Sequence, residues 1–271
     1  MNVKSTEIKL TDKEFELFKK FIHKISGIQM KPEKKVLVES RLAKRLRYYQ
    51  FRSYRDYYEY LQTDDVEQQM FIDIITTNET SFFREPHHFE YLKTAILPKQ
   101  KGPIRIWSAA CSIGAEAYSS AMVCDEVLGT SNGKYEIVCT DINADVVKTA
   151  QIGLYPEKFI SQIPQKYLKK HCMRGTGKYE SSFIVSDQLK SNLLFKRMNL
   201  LEKASGEMGE FDVIFLRNML IYFDGPEKKK IVENVVSRLK KGGHLFIGHS
   251  ESLFNINNSV TQVKPTIYRK P

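Results

Sequence analysis

The chain has 271 residues, 42% of them hydrophobic, and a formal net charge of +10, enough for one large domain or two unequal ones with a buried core. The polar stretch from Met1 to Lys13 has no apolar segment of signal-peptide type, and no run of about eighteen apolar residues marks a membrane span, so a cytoplasmic protein without direct membrane insertion is expected. The excess of basic charge would draw nucleic acid, anionic lipid or an acidic protein partner, and by itself does not choose among them.

The first hundred residues read as helices. Thr11 and Glu14 have capping-box spacing, and behind them Phe15, Phe18, Ile22 and Ile25 recur at helical period until Gly27. Pro32 can open a second helix whose buried stripe is Val38, Leu42, Leu46 and Tyr49. Ser53 can cap a third, short helix through Leu61, and a fourth is expected from Asp65 to about Thr76. The second helix is unusually basic: from Lys31 to Arg55 there are nine basic residues against two acidic ones, Glu33 and Glu39. Lys34, Arg41, Lys44 and Arg45 fall on one side of it, beside the apolar stripe, and are expected to form a docking surface.

The pattern changes after Gly102-Pro103. Ile104 to Ala109 reads as a strand, Ile113 to Leu128 as a helix, Tyr135 to Thr140 as a strand and Asn143 to Gln151 as a helix. Further strands are expected at Leu193–Met198, Phe211–Leu216 and His244–Gly248, with a helix from Pro226 to Lys240 before the last. Val260–Val263 and Thr266–Arg269 would pair and finish the sheet. Alternating strands and helices imply a mostly parallel sheet covered on both faces. Residues 156–192 break the alternation and read as an inserted small antiparallel β-subdomain, with Gly175 and Gly177 at a hairpin tip.

Ligands of an open parallel sheet sit at the carboxyl ends of its strands. The first strand runs into Ala109-Ala110-Cys111-Ser112-Ile113-Gly114, where small residues let the backbone approach a ligand. This is neither G-x-G-x-x-G nor a P-loop. Asp141, at the end of the second strand, has the position of an acid that accepts hydrogen bonds from ribose hydroxyls, or of a simple helix cap. Asn78 to Glu85 is dense in polar groups beside Phe82 and Phe83, and reads from composition as a linker with an aromatic plug. No metal site is expected. Cys111, Cys124, Cys139 and Cys172 lack zinc-type spacing and read as free thiols in a reducing compartment. His87 and His88 read as a solvated helix start after Pro86. Gly248-His249-Ser250-Glu251-Ser252 lacks the second glycine of a hydrolase elbow.

Four of these segments resemble one family. Asn78-Glu79-Thr80-Ser81-Phe82-Phe83-Arg84-Glu85 is similar to the signature of the chemotaxis receptor methyltransferases, the CheR family. The segments from Arg105 to Gly114, Phe211 to Asp224 and Gly242 to Glu251 resemble that family's first cofactor-binding strand and turn, its fourth-strand motif and its final motif, in the family's order. The resemblance implies an α/β fold. An all-α N-terminal domain (residues 1–76) would be followed by a linker contributing to the active site (77–103). A Rossmann-like methyltransferase domain (104–271) would carry the small antiparallel β-subdomain.

The resemblance further implies an enzyme, a protein-glutamate O-methyltransferase. It would use S-adenosylmethionine to esterify glutamate side chains of the cytoplasmic domains of chemoreceptors, releasing S-adenosylhomocysteine, in chemotactic adaptation. Carried over by position, Asn78, Thr80 and Arg84 would contact the cofactor from the linker side. Glu116 and Asp141 would hold its amino-acid and ribose portions, and Asn199, Leu200, Arg217 and Asn218 would line the adenosine end. Arg84 and Tyr222 would lie beside the transferred methyl group, as catalytic residues. The basic second helix would steer an acidic receptor helix, the β-subdomain would tether a receptor's C-terminal peptide by strand addition, and a monomer recruited to membrane receptor arrays is expected. Where the family turn reads G-E-E-P-Y-S, this chain has Gly114-Ala115-Glu116-Ala117-Tyr118-Ser119, keeping the second acid and losing the first acid and the proline. The alternatives are a nucleic-acid methyltransferase, for which Arg217-Asn218-Met219-Leu220 lacks the expected proline motif, and a non-catalytic protein that senses S-adenosylmethionine.

Overall fold

The computed structural model describes residues 8–129, 133–203 and 206–271. The chain forms two compact units: the described residues up to Thr77 together with Tyr222–Asp224, and Asn78–Ile221 together with Gly225–Pro271.

The first unit holds four helices, α1 (Asp12–Ser26), α2 (Lys35–Tyr49), α3 (Tyr54–Leu61) and α4 (Asp65–Ile75). Three of them, α1, α3 and α4, start on a side-chain cap. The Thr11 hydroxyl accepts from the Glu14 N–H while the Glu14 carboxylate accepts from the Thr11 N–H, and Gly27 closes α1 at φ 75°. Ser53 caps α3 and Asp64 caps α4, each accepting backbone N–H groups of the first turn. The core is aromatic. Phe18, fully buried, meets the rings of Tyr54, Tyr57, Tyr58 and Phe71 at centroid distances of 5.7 to 6.4 Å.

Two of the four expected docking cations are spent inside this unit. Arg41 Nη1 donates to the carbonyls of Ile74, Ile75 and Thr76 at 2.9, 2.9 and 3.0 Å, closing the C-terminal end of α4. Arg45 donates through Nε to Glu67 at 2.8 Å, and its Nη2 makes a second, short contact with the same carboxylate. Glu67 is 2% exposed and also accepts from Tyr49 and Tyr57 at 2.9 and 2.8 Å. Arg41 and Arg45 are four apart and share one face of α2, so the expectation that both are free for a partner is corrected. Lys34 and Lys44 are exposed.

The second unit begins with α5 (Pro86–Tyr91) and continues through β1 (Ile104–Ser108), α6 (Ala115–Leu128), β2 (Tyr135–Asp141) and α7 (Ala144–Ile152). Then come β3 (Leu154–Pro156), α8 (Gln165–His171), β4 (Cys172–Arg174), β5 (Ser182–Val185), α9 (Asp187–Lys190) and β6 (Leu193–Arg197). The chain finishes with β7 (Phe211–Leu216), α10 (Gly225–Ser237), β8 (Leu239–Ile247), β9 (Thr261–Lys264) and β10 (Ile267–Arg269). Seven strands form one sheet in the order β6-β2-β1-β7-β8-β10-β9. The first five run parallel, and β10 is antiparallel to β8 and to β9. Val213, Ile214, Phe215 and Leu216 are all fully buried, as a strand covered on both faces requires. The chain runs outward from β1 through β2 to β6 and then crosses back to β7 on the other side of β1, so the switch point of the sheet lies at the carboxyl end of β1.

The expected insertion is a separate antiparallel sheet, β3-β5-β4, which starts two residues early at Leu154. Gly175 lies between β4 and β5, where a Cβ would come within 2.1 Å of the Tyr179 carbonyl oxygen. Two expectations are corrected. The last helix ends at Ser237, and β8 begins at Leu239 rather than His244. Lys240 Nζ is held by the Asp212 carboxylate at 2.9 Å, and the β7–β8 register shifts between Phe211 and Val213, so an irregular strand start replaces a helical end. His88 is fully buried rather than solvated. Its Nε2 lies 2.7 Å from Thr266 Oγ1 and its ring meets Phe246 edge-on, and burial pushes the imidazole down to about 3, leaving it neutral at physiological pH. All four cysteines are free thiols.

The Arg45–Glu67 pair generates a test. Removing one partner of a buried ion pair leaves an uncompensated charge, which costs about 3–5 kcal/mol. Glu67→Ala is therefore expected to lower the unfolding free energy of the helical unit by that amount, read from denaturant curves, and Lys44→Ala, at an exposed position of α2, to change it by less than about 0.5 kcal/mol.

Candidate functional site

At the carboxyl ends of β1 and β7 a buried guanidinium sits between two carboxylates. The Arg217 side chain, 2% exposed, follows the last residue of β7. Its Nη1 lies 3.1 Å from Glu116 Oε2 and its Nη2 lies 3.2 Å from Glu85 Oε2. The same Nη2 donates to the Arg84 carbonyl, and the guanidinium stands 5.7 Å from the centroid of the Phe89 ring. Glu116, in the first turn of α6, also accepts from Ser108 Oγ at 2.6 Å, so the end of β1 and the start of α6 share one carboxylate.

The two carboxylates differ. Burial pushes the Glu116 carboxyl up, against the Arg217 charge and the Ser108 hydroxyl. Burial pushes Glu85 up as well, but hydrogen bonds from His249 and Asn218 and the Arg217 charge outweigh it and hold the group at about 2. Glu85 Oε1 lies 3.0 Å from His249 Nδ1 and accepts from the His249 N–H and from Asn218 Nδ2, each at 3.2 Å.

A second cluster stands at the end of β2. Asp141 accepts the Ser112 N–H at 2.8 Å and the Asn143 N–H at 3.0 Å, and the Ser112 hydroxyl donates to the Asn78 carbonyl at 3.0 Å. The turn between β1 and α6 is tight: Gly114 has φ 87°, and a Cβ there would come within 2.9 Å of Ala150 Cβ. Ala115 and Ala117, where the family pattern has an acid and a proline, are fully buried in the hydrophobic core. A carboxylate at 115 would be desolvated there, whereas Glu116 between them turns to Arg217. The Met198 N–H donates to the Asp141 carbonyl at 2.8 Å, which starts the Asn199–Leu200 loop beside Asp141. In that loop Asn199 Oδ1 accepts the Leu201 N–H at 3.0 Å, and the Leu200 carbonyl accepts from Asn234 at 3.0 Å.

Among the residues expected from sequence, Asn78 thus joins Asp141 through Ser112, and Arg84 joins Glu116 through Arg217. Arg217 had been grouped with Asn199 and Leu200, and the structure instead sets it against Glu116. Arg84 Nη1 donates to the Glu79 carbonyl at 3.2 Å, and Thr80 is half-buried. Tyr222 belongs to the helical unit, where its carbonyl accepts the Gln29 N–H at 2.8 Å. Three participants were not singled out from sequence. Glu85 closes the Asn78–Glu85 signature, and His249 and Glu251 close the final motif, so membership of those motifs was the available signal. The Glu251 carboxylate accepts the N–H groups of Asn218, Leu220 and Gly248 at 2.9, 2.7 and 2.7 Å, fixing the loop after β7 to the end of β8. Phe83, Glu85, Ser112 and Asn218, at φ 49 to 57°, place four left-handed non-glycine residues in this one region, as strained functional sites do.

Chemically, Glu116 and Asp141 offer anionic acceptors at adjacent strand ends beside a backbone kept bare by Ala109, Ala110 and Gly114. Those acceptors suit a ligand with a cationic group at one end and vicinal hydroxyls further along. Glu85 also gives the site a pH signature. Its folded pKa lies below the unfolded value of about 4.3, so the stabilisation is fully present above about pH 4.5 and lost as pH falls toward 2. Glu85→Gln is expected to lower the thermal midpoint at neutral pH and to shrink the drop between pH 4.5 and pH 2, read from melting curves across that range.

Comparison with known proteins agrees with this geometry. A model of the CheR methyltransferase SAM-binding domain matches residues 78–269, and one of the CheR methyltransferase all-alpha domain matches residues 13–76. Chemotaxis protein methyltransferase 2 of Pseudomonas aeruginosa is 37% identical over 97% of this chain and 94% of its own length. The chemotaxis protein methyltransferase of Escherichia coli is 36% identical over 96% of this chain and 91% of its own, and that of Borreliella burgdorferi 36% over 97% and 96%. With both domain models matched in order and relatives aligned over nearly their full length, the chain belongs to the CheR methyltransferase family, S-adenosylmethionine-dependent enzymes with a helical domain ahead of the cofactor-binding domain.

Proposed function

We propose that this chain methylates glutamate side chains in the cytoplasmic domains of chemoreceptors, forming glutamate methyl esters and S-adenosylhomocysteine at membrane receptor arrays. The observation that carries the reading is the acid–arginine cluster Glu85–Arg217–Glu116, hydrogen-bonded to the Arg84 carbonyl, with Asp141 one strand away. The near-full-length likeness to chemotaxis protein methyltransferases supports the receptor substrate.

When bound, S-adenosylmethionine supplies an electrophilic methyl group on a cationic sulfur. Glu116 together with Arg217 would hold the amino-acid end, rather than Arg217 lining the adenosine. Asp141 accepts from the ribose hydroxyls, and Asn199, Leu200 and Asn218 line the adenosine end. Asn78 and Thr80 close the site from the signature segment. The acceptor needs no general base, because a glutamate with a reference pKa of about 4.3 is already ionised at neutral pH. Bound beside that carboxylate, S-adenosylmethionine would supply the methyl group that the glutamate oxygen accepts. Rate then comes from positioning. Arg84, with a planar donor fork, orients the incoming carboxylate, and the Tyr222 hydroxyl holds the acceptor or donor geometry.

The decisive assay incubates receptor-containing membranes with methyl-labelled S-adenosylmethionine. Base-labile label released as methanol from the receptor band is the expected result, and label in nucleic acid or none at all would overturn the reading. In that assay Arg84→Ala and Tyr222→Phe are expected to lower turnover by about 100-fold and about tenfold, with cofactor affinity by calorimetry changed much less. Unchanged turnover in both would remove the assigned roles.

Receptor docking falls to the exposed Lys34 and Lys44, since Arg41 and Arg45 are engaged elsewhere. A receptor C-terminal peptide is proposed to add as a strand at an edge of β3-β5-β4. Lys34→Glu combined with Lys44→Glu is expected to cut kcat/KM for receptor roughly 3- to 10-fold. It should also flatten the fall of methylation with salt between about 0.05 and 0.5 M, with no change in cofactor binding.

A further inference from the structure

The signature segment is held partly from outside the Rossmann core. Phe82, 3% exposed, has its ring among Tyr155, Phe159 and Phe183 at centroid distances of 5.0, 6.1 and 6.1 Å, and its N–H donates to Gln162 Oε1 at 3.0 Å. Phe83 lies flat against Tyr167, with centroids 5.2 Å apart and planes 8° from parallel, and its N–H donates to Ser119 Oγ at 2.9 Å. Tyr155, Phe159, Gln162, Tyr167 and Phe183 all come from the inserted β-subdomain and its flanking turns. Tyr167 is fixed in turn by a short hydrogen bond to Glu126, which also pairs with Lys93 at 2.9 Å and Lys166 at 2.6 Å.

Arg84 is the next residue. The two preceding backbone N–H groups end on side-chain acceptors, and Phe83 and Glu85 on either side of Arg84 are left-handed at φ 52 and 57°. Such conformations persist only where the surroundings over-determine them. Ser119 is in α6 and Gln162 is in the insertion, so the two acceptors fix the strained turn from two directions.

We infer that Gln162 is a positioning residue for Arg84: the inserted subdomain, through the Gln162 acceptor and the Tyr167 stack, sets where the Arg84 guanidinium stands. This rests on the reading of Arg84 as the group that orients the acceptor. It gives the insertion a part in turnover that is separate from any peptide tether, and makes it active toward receptors that lack a tether sequence.

The test compares Gln162→Leu, which keeps the bulk and loses the acceptor, with Gln162→Glu, which keeps an acceptor oxygen. Both are assayed in the full chain on a receptor without the C-terminal peptide. Gln162→Leu is expected to lower kcat about 10- to 100-fold, with the dissociation constant for S-adenosylhomocysteine changed less than about twofold and faster amide exchange in the peptide covering residues 79–85. Gln162→Glu is expected to recover most of the lost kcat. In the Arg84→Ala background, Gln162→Leu should add little, because the two act as a unit. Wild-type kcat in Gln162→Leu, equal loss in Gln162→Glu, or full additivity with Arg84→Ala would each overturn the inference. If Gln162→Leu is silent while Arg84→Ala is impaired, only the inference fails, whereas wild-type turnover in Arg84→Ala removes the underlying reading with it.

Discussion

The second unit is organised around one buried positive charge. A guanidinium exposed at 2% is stable only if its charge is compensated, and removing either partner strands the other. Arg217 is met by Glu85, Glu116 and the Arg84 carbonyl, which come from two separate stretches of chain, the adjacent pair Arg84-Glu85 and the start of α6. Those stretches must reach the end of β7 together. Glu85 then passes the constraint on to Asn218 and His249, and Glu251 ties the same loop to the end of β8. The left-handed residues of the region are what the backbone concedes to satisfy these demands.

The helical unit uses the same device with a different outcome. Glu67 is its buried carboxylate, and Arg45, Tyr49 and Tyr57 supply the donors. No strand ends converge there and no small-residue turn opens beside it, so the network fixes the packing of α2 against α3 and α4. The comparison separates two uses of arginine that look alike in a sequence. Charge that holds helices together is withdrawn from the surface, and a formal net charge of +10 overstates what α2 can offer a partner.

Most of the fold was legible because its signals are local. Capping residues, the 3.6-residue stripe of α1 and α2, and the continuous apolar run of β7 each fix an element within a few residues of itself. The small sheet was visible as a break in the alternation. Arg41 and Arg45 were misread because a helical wheel shows which side a charge occupies and not what stands opposite. Ile74 to Thr76 approach Arg41 only after α4 has folded back, more than thirty residues along the chain. His88 was misread for the same reason, since Thr266 lies 178 residues away. The β8 boundary depended on Lys240 finding Asp212, a pairing across two strands. In the site, Asp141 could be placed by its position after a strand and Glu116 by the family resemblance of its turn, whereas the pairing of Arg217 with Glu116 rather than with the Asn199 loop is a tertiary fact.

Connections between domains usually absorb insertions and deletions without loss, because they run free over the surface. The segment from Phe82 to Glu85 cannot. Four successive residues each have a fixed appointment: Phe82 with Gln162, Phe83 with Ser119, the Arg84 carbonyl with Arg217, and the Glu85 side chain with Arg217 and Asn218. One residue added or removed would put every later partner out of step at once. Within this protein the stretch that looks most like a tether is therefore the one whose length is least free to drift.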